Sequence, residues 1–110
     1  MQYKKYRWSR DYESAEEELN TILTTRYPGA ERWEAEAFAD TPLASSRNDL
    51  KLWCAEGSLI CTINGQRISV QPGDALDIPA EMQSSAQAGI SGCVCYRYTT
   101  TDRTLLFIYH

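Results

Sequence analysis

From residue 31 onward the chain falls into short runs in which apolar and polar residues alternate between glycine, proline and asparagine turn signals. This period of two restricts it to a mainly β fold. The runs are residues 32–38, 50–55, 58–63, 66–70, 75–78, 83–88, 92–98 and 104–109. Short strands so evenly spaced pack as a sandwich or close as a barrel. Asn64-Gly65 is the strongest hairpin signal, joining Leu59, Cys61 and Ile63 on one inward face to Ile68 and Val70 on the next strand. Pro72-Gly73-Asp74 and Pro79-Ala80 mark the next two corners.

Ahead of this β region the period changes. Tyr12, Ala15, Leu19, Ile22 and Leu23 recur at three- and four-residue spacing, with Glu16, Glu17 and Glu18 in the first turns. Ser14 and Glu17 fit a capping box, and Pro28-Gly29 supplies a stop, so one amphipathic helix over about 11–26 is predicted, its acidic face solvated. With 110 residues there is room for a single domain, 1–110, made of that helix and a β region over about 31–110. Hydrophobic residues at 43% and charged residues at 24% exclude a disordered chain. Eleven Lys+Arg against fifteen Asp+Glu leave a net charge of −4, without the basic footprint that nucleic-acid binding requires. No segment approaches about 18 uninterrupted apolar residues, and the first twelve residues lack a signal-peptide core. The expectation is a cytoplasmic protein with neither nucleic acid nor membrane as partner.

Four cysteines stand at 54, 61, 93 and 95, without CxxC spacing. Cys93 and Cys95 fall on one strand face with Cβ atoms about 6.5–7 Å apart, beyond the roughly 3.5–4.5 Å that a disulfide spans. Buried, reduced thiols acting as small hydrophobes are expected. Zinc held by the four thiolates is the alternative, but structural zinc cysteines sit on turns and these lie within strands. A reactive thiol would need a neighbour that lowers its pKa.

The stretch from Leu52 to Ser84 has a strand ending in Glu56-Gly57, the Asn64-Gly65 hairpin, the Pro72-Gly73-Asp74 turn and an apolar strand closed by Pro79-Ala80. In order and spacing it resembles the cupin superfamily. The resemblance implies a single-domain, jelly-roll β-barrel with the helix N-terminal to it. It also implies where a metal would be held: two histidines and a glutamate ahead of Gly57, and a last histidine after Pro79. Counting from those anchors, the histidine positions fall among Leu43, Ala44, Ser45 and Ser46, the glutamate position at Leu50 beside Asp49, and the last histidine at Ser84. Glu81 replaces the usual glycine after Pro79-Ala80. The single histidine of the chain is His110. Metal-dependent dioxygenase, isomerase and oxalate-type chemistries rest on imidazole donors. No metal ligand and no cofactor are therefore assigned.

Polar residues that could face a cavity are Glu34, Glu36, Arg47, Asp49, Ser84 and Arg97. Glu34 and Glu36 share a strand face with Phe38; turned inward they would be paired carboxylates suited to acid–base work, turned outward a solvated edge. Three functions remain open at this level. One is a metal-free cupin that binds a small polar or aromatic ligand, with Ser84, Arg47 and Arg97 as contacts, or serves as a homodimeric accessory protein. A metal-independent isomerase or epimerase on a carbohydrate-like substrate, with Glu34, Glu36 or Asp49 as base, is the second. The third is a barrel packed solid by its own side chains. Strand parity turns Trp53 and Ile60 outward, an apolar patch expected to form the interface of a homodimer, with the helix, through Leu19, Ile22 and Leu23, as the alternative cover.

Overall fold

Two long strands organise the molecule. In the computed structural model, which describes residues 3–8, 15–43 and 48–99, β4 (Leu50–Ile63) and β7 (Ser84–Thr99) pair antiparallel along almost their whole length. Each corresponds to two of the short runs read from the sequence, joined through a bend. Cys54 pairs with Cys95 but Glu56 with Val94, so Ala55 is an extra residue in β4; Gly57 pairs with Cys93 but Leu59 with Ala88, so the extra residues in β7 lie between Ala88 and Cys93. Such bulges bend and twist a strand without ending it. Gly57 and Gly92 supply positive φ at this bend, 70° and 73°.

The remaining strands build on the two halves of this pair. On one arm the order is β1 (Lys4–Arg7), β6 (Asp74–Ile78), β4, β7, β2 (Glu31–Ala35). On the other, β5 (Gln66–Val70) adds to β4 and β3 (Asp40–Leu43) to β7. All pairings are antiparallel. The expected closed barrel is corrected here: among the described residues this is one curled, open seven-stranded sheet, with a cupin-like strand order and four free ends. Charge protects the ends of the longer arm, with Lys4, Lys5 and Arg7 on β1 and Glu31, Arg32 and Glu34 on β2, as suits strands that must not pair further. The predicted strand 104–109 and His110 lie outside the described residues.

The inward parity holds throughout. Leu52, Cys54, Leu59, Cys61, Ile63, Ile68, Val70, Leu76 and Ile78 all enter one core between the two arms. Asn64-Gly65 forms the two-residue turn between β4 and β5, with φ of 49° and 84° as a type I′ turn requires. The Pro72-Gly73-Asp74 corner is gripped by β1. Asp74, buried, accepts hydrogen bonds from Arg7 Nη1 at 2.8 Å and from the Gln71 N–H at 2.9 Å, with Lys5 Nζ at 3.7 Å.

α1 (Ala15–Arg26) ends where Pro28-Gly29 dictates; the Tyr12 and Ser14 start signals fall outside the described residues. Leu19 and Leu23 are buried, while Glu17 and Glu18 are exposed. This face packs on the convex side of the longer arm in a second core with Trp53, Ala55, Ala75 and Tyr96. Tyr27 extends that core just past the helix, its ring 5.0 Å from Trp53 and 5.3 Å from Tyr98. Trp53 is only 2% exposed. The outward tryptophan expected to form a dimer interface is thus covered by the chain's own helix; Ile60, the other residue of that patch, is half-buried.

Candidate functional site

The space between the arms is filled by apolar side chains, so room for a ligand has to be sought at the rim. A cleft of about 400 Å³ opens there, where the end of β3, the β4–β5 hairpin and the start of β7 converge. Its walls are Leu43, Thr62, Asn64, Gly65, Gln83, Ser84 and Ser85. Two backbone links fix the geometry. The Asn64 N–H donates to the Gln83 carbonyl at 3.0 Å, and the Gln83 N–H returns a bond to Asn64 Oδ1 at 3.2 Å, which ties the hairpin to the approach of β7. Ser84 is the register partner of Leu43, and its Oγ donates to the Leu43 carbonyl at 3.2 Å. The lining carries hydroxyl and amide groups beside the apolar Leu43, and none of the seven residues bears a formal charge.

Leu43, one of the four positions among which the resemblance places two histidines, and Ser84, at the last histidine position, thus meet in this cleft. The described residues at these positions do not fit a transition metal. Leu43 offers no donor, and Ser84 a neutral hydroxyl already bonded to backbone. Leu50, at the glutamate position, is buried apolar core. Its neighbour Asp49 accepts the Ala80 N–H at 2.9 Å and so fastens the Pro79-Ala80 corner. Ala44, Ser45 and Ser46 lie outside the described residues. Among the described residues no three His, Cys, Asp or Glu side chains are grouped to hold a metal ion.

The other sequence candidates are dispersed. Glu34 and Glu36 are both exposed, and Glu34 pairs with Arg32; neither turns into the core, so the inward carboxylate pair is not formed. Arg97 lies apart from Ser84, at a separate 320 Å³ cavity with Glu31, Leu50 and Tyr98, its Nε 3.9 Å from Glu31 Oε2. Arg47 falls outside the described residues. Along β7, Cys95 enters the main core, and Tyr96 and Tyr98 belong to the core beneath α1. Of the predicted contacts among the described residues, Ser84 lines the rim cleft and Arg97 does not. Thr62, Asn64, Gln83 and Ser85 were missed. Polar residues beside a hairpin read as turn chemistry, and only their clustering around Ser84 in three dimensions marks them as a lining.

No family model and no curated protein sequence matches the chain. Solved structures do. A DUF861 family protein from Thermotoga maritima superposes with a TM-score of 0.62 at 13% identity, over 90% of this chain and 100% of its own. The Cnp3 cupin domain from Schizosaccharomyces pombe gives 0.64 at 16% identity, over 99% of this chain and 72% of that one. An RmlC-like cupin from Shewanella frigidimarina gives 0.58 at 14% identity, over 69% and 68%. Likeness at this level of identity concerns the path of the backbone, not the chemistry of a site.

Proposed function

From the premise that this chain carries the cupin fold, we propose that it is a metal-free binding protein which takes a small, uncharged, hydroxyl-rich ligand in the cleft beside Ser84. The observation that carries this reading is the lining itself: about 400 Å³ with hydroxyl and amide groups from Thr62, Asn64, Gln83, Ser84 and Ser85, an apolar wall at Leu43, and no formal charge. Pockets for small molecules are commonly of this size, with a few polar groups that fix orientation. A sugar or polyol presents the matching donors and acceptors without requiring a counter-charge. An anionic ligand would be desolvated here with no cation to meet it. The same lining argues for binding over proton-transfer chemistry, because it contains no side chain that titrates near neutral pH.

The test is a thermal-shift series with neutral sugars and polyols set against the corresponding uronic and aldonic acids. A neutral ligand at 100 times its Kd adds roughly 2.7 kcal/mol to stability. Ser84 is half-buried at the cleft wall, and Ser84→Phe is expected to abolish the shift with the far-ultraviolet circular dichroism unchanged. Absence of any neutral ligand, a preference for the acids, or binding that survives Ser84→Phe would each remove this reading.

A further inference from the structure

The four cysteines all enter the main core, yet one of them also borders a cavity. Cys93 is 5% exposed and lines a cavity of about 210 Å³ with Glu34, Ala35, Glu56, Gly57, Ser91 and Val94. This cavity sits at the bend of β4 and β7 and is shaped by missing side chains. A Cβ on Gly57 would collide with the Gly92 carbonyl oxygen, and one on Gly92 would come within 2.5 Å of the Ala35 carbonyl oxygen. The three strands therefore approach closely beside Cys93. Behind it the sulfurs continue inward, since Cys95 is two residues on along the same strand face and Cys54 lies directly opposite Cys95 in the β4–β7 register.

From this geometry we propose that Cys93 is a thiol-modification site, oxidised by small uncharged hydroperoxides that enter the cavity, with Cys95 as a positioning residue. The Cys93 thiolate attacks the terminal oxygen of the hydroperoxide. An S–O bond forms as the O–O bond breaks, sulfur loses two electrons, and the departing oxygen takes a proton from solvent to leave as water or an alcohol. The product is a sulfenic acid at Cys93. Three features favour this thiol. The Cys95 thiol donates to the Cys93 sulfur, and this lowers the Cys93 thiol below its ordinary value against the opposing effect of burial, helped by the Ala35 backbone N–H. Cys95 itself is held protonated by its bonds to Cys54 and Cys93 and by burial, which keeps it a donor. Cys61 is pushed up to about 12, chiefly by burial, and is far less available as a nucleophile. The carboxylates of Glu34 and Glu56 at the rim, the first paired with Arg32, oppose entry of anionic reagents and so select for neutral ones.

The experiment treats the intact protein with hydrogen peroxide in the presence of dimedone and locates the adduct by fragment mass spectrometry. A parallel arm compares alkylation by neutral iodoacetamide and anionic iodoacetate. The adduct is expected on Cys93 first, with iodoacetamide favoured over iodoacetate beyond their ratio on free cysteine. Cys95→Ala should slow trapping at Cys93, because less of that thiol is then ionised, while Cys95→Ser keeps a hydroxyl donor and restores most of the rate. Circular dichroism of both variants separates a lost hydrogen bond from a lost fold. First labelling at Cys54, Cys61 or Cys95, or equal rates in folded Cys95→Ala and Cys95→Ser, overturns the proposal. So does the absence of any adduct.

Discussion

Ser84 and Leu43 face each other across the β3–β7 ladder, and the Ser84 hydroxyl closes the pair by donating to the Leu43 carbonyl at 3.2 Å. The serine is therefore a structural link for β3 as well as a wall of the cleft. Ser84→Ala removes that link at a half-buried carbonyl and is expected to cost about 0.5–1.5 kcal/mol, read from the urea midpoint with an unchanged denaturant slope. A larger loss accompanied by a smaller slope would mean that β3 detaches altogether.

Trp53 offers a second test, because its environment decides between two covers for one surface. It lies under α1 with Leu19 and Leu23, stacked at an angle on Tyr27. Trp53→Ala should cost about 3–5 kcal/mol, as deletion of a buried aromatic does, and leave the hydrodynamic size of the folded protein as it was. A change of size by light scattering with little loss of stability would instead place Trp53 between subunits.

How much of this could be read from the chain differs by element. Alternation along residues 50–78, pinned by the Asn64-Gly65 turn, fixes which side chains of β4, β5 and β6 enter the core, because a one-residue slip would turn every one of them out. The same alternation cannot show that two runs separated by Gly57, or by the segment from Gly89 to Gly92, are one strand: a glycine inside a strand pattern marks a bulge and a turn equally well. Closure of the sheet is also beyond local pattern, since it depends on whether the outermost strands find partners. The cleft is the least legible feature. Leu43 and Ser84 are distant in sequence, and only the β3–β7 pairing brings them together.

Alkaline pH should destabilise the protein from about pH 9 upward. The Cys61 thiol is raised from an ordinary 9.0 to about 12 by burial and by the neighbouring Cys54 and Cys93. Between those values the unfolded chain has released its proton and the folded one still holds it, so stability falls as pH rises and is unaffected below pH 9. The Tyr6 hydroxyl, raised from 10.0 to about 12 by burial and then by Asp77, acts with the same sign over pH 10–12. Urea midpoints measured from pH 8 to 11 should decline steadily. Cys61→Ala should make the decline that begins at pH 9 shallower, whatever it costs at pH 7, the remainder coming from Cys95, which is also held protonated; an unaltered slope would show that Cys61 is not held protonated.

Among the described residues, three other than glycine adopt positive φ, and glycine should affect them differently. Phe38, at 61°, is the third residue of a turn closed by the Ala39 N–H on the Glu36 carbonyl at 3.1 Å, a position that favours glycine, and the residue is 60% exposed. Glu81, at 70°, is exposed in the corner after Pro79-Ala80, where the resembling family has glycine. The left-handed conformation costs such residues about 1–2 kcal/mol, partly offset by the roughly 0.5–1 kcal/mol of extra freedom that glycine loses on folding. Phe38→Gly and Glu81→Gly should each stabilise by about 0.5–1 kcal/mol, a rise of about 2–6 °C in Tm for a chain of this size. Asn64, at 49°, tolerates the conformation better, and its Oδ1 accepts the Gln83 N–H at 3.2 Å. Asn64→Gly gains little in the turn and loses that bond, so it should lower Tm. Loss of stability in Phe38→Gly would show that the exposed ring contributes contacts outweighing its strain.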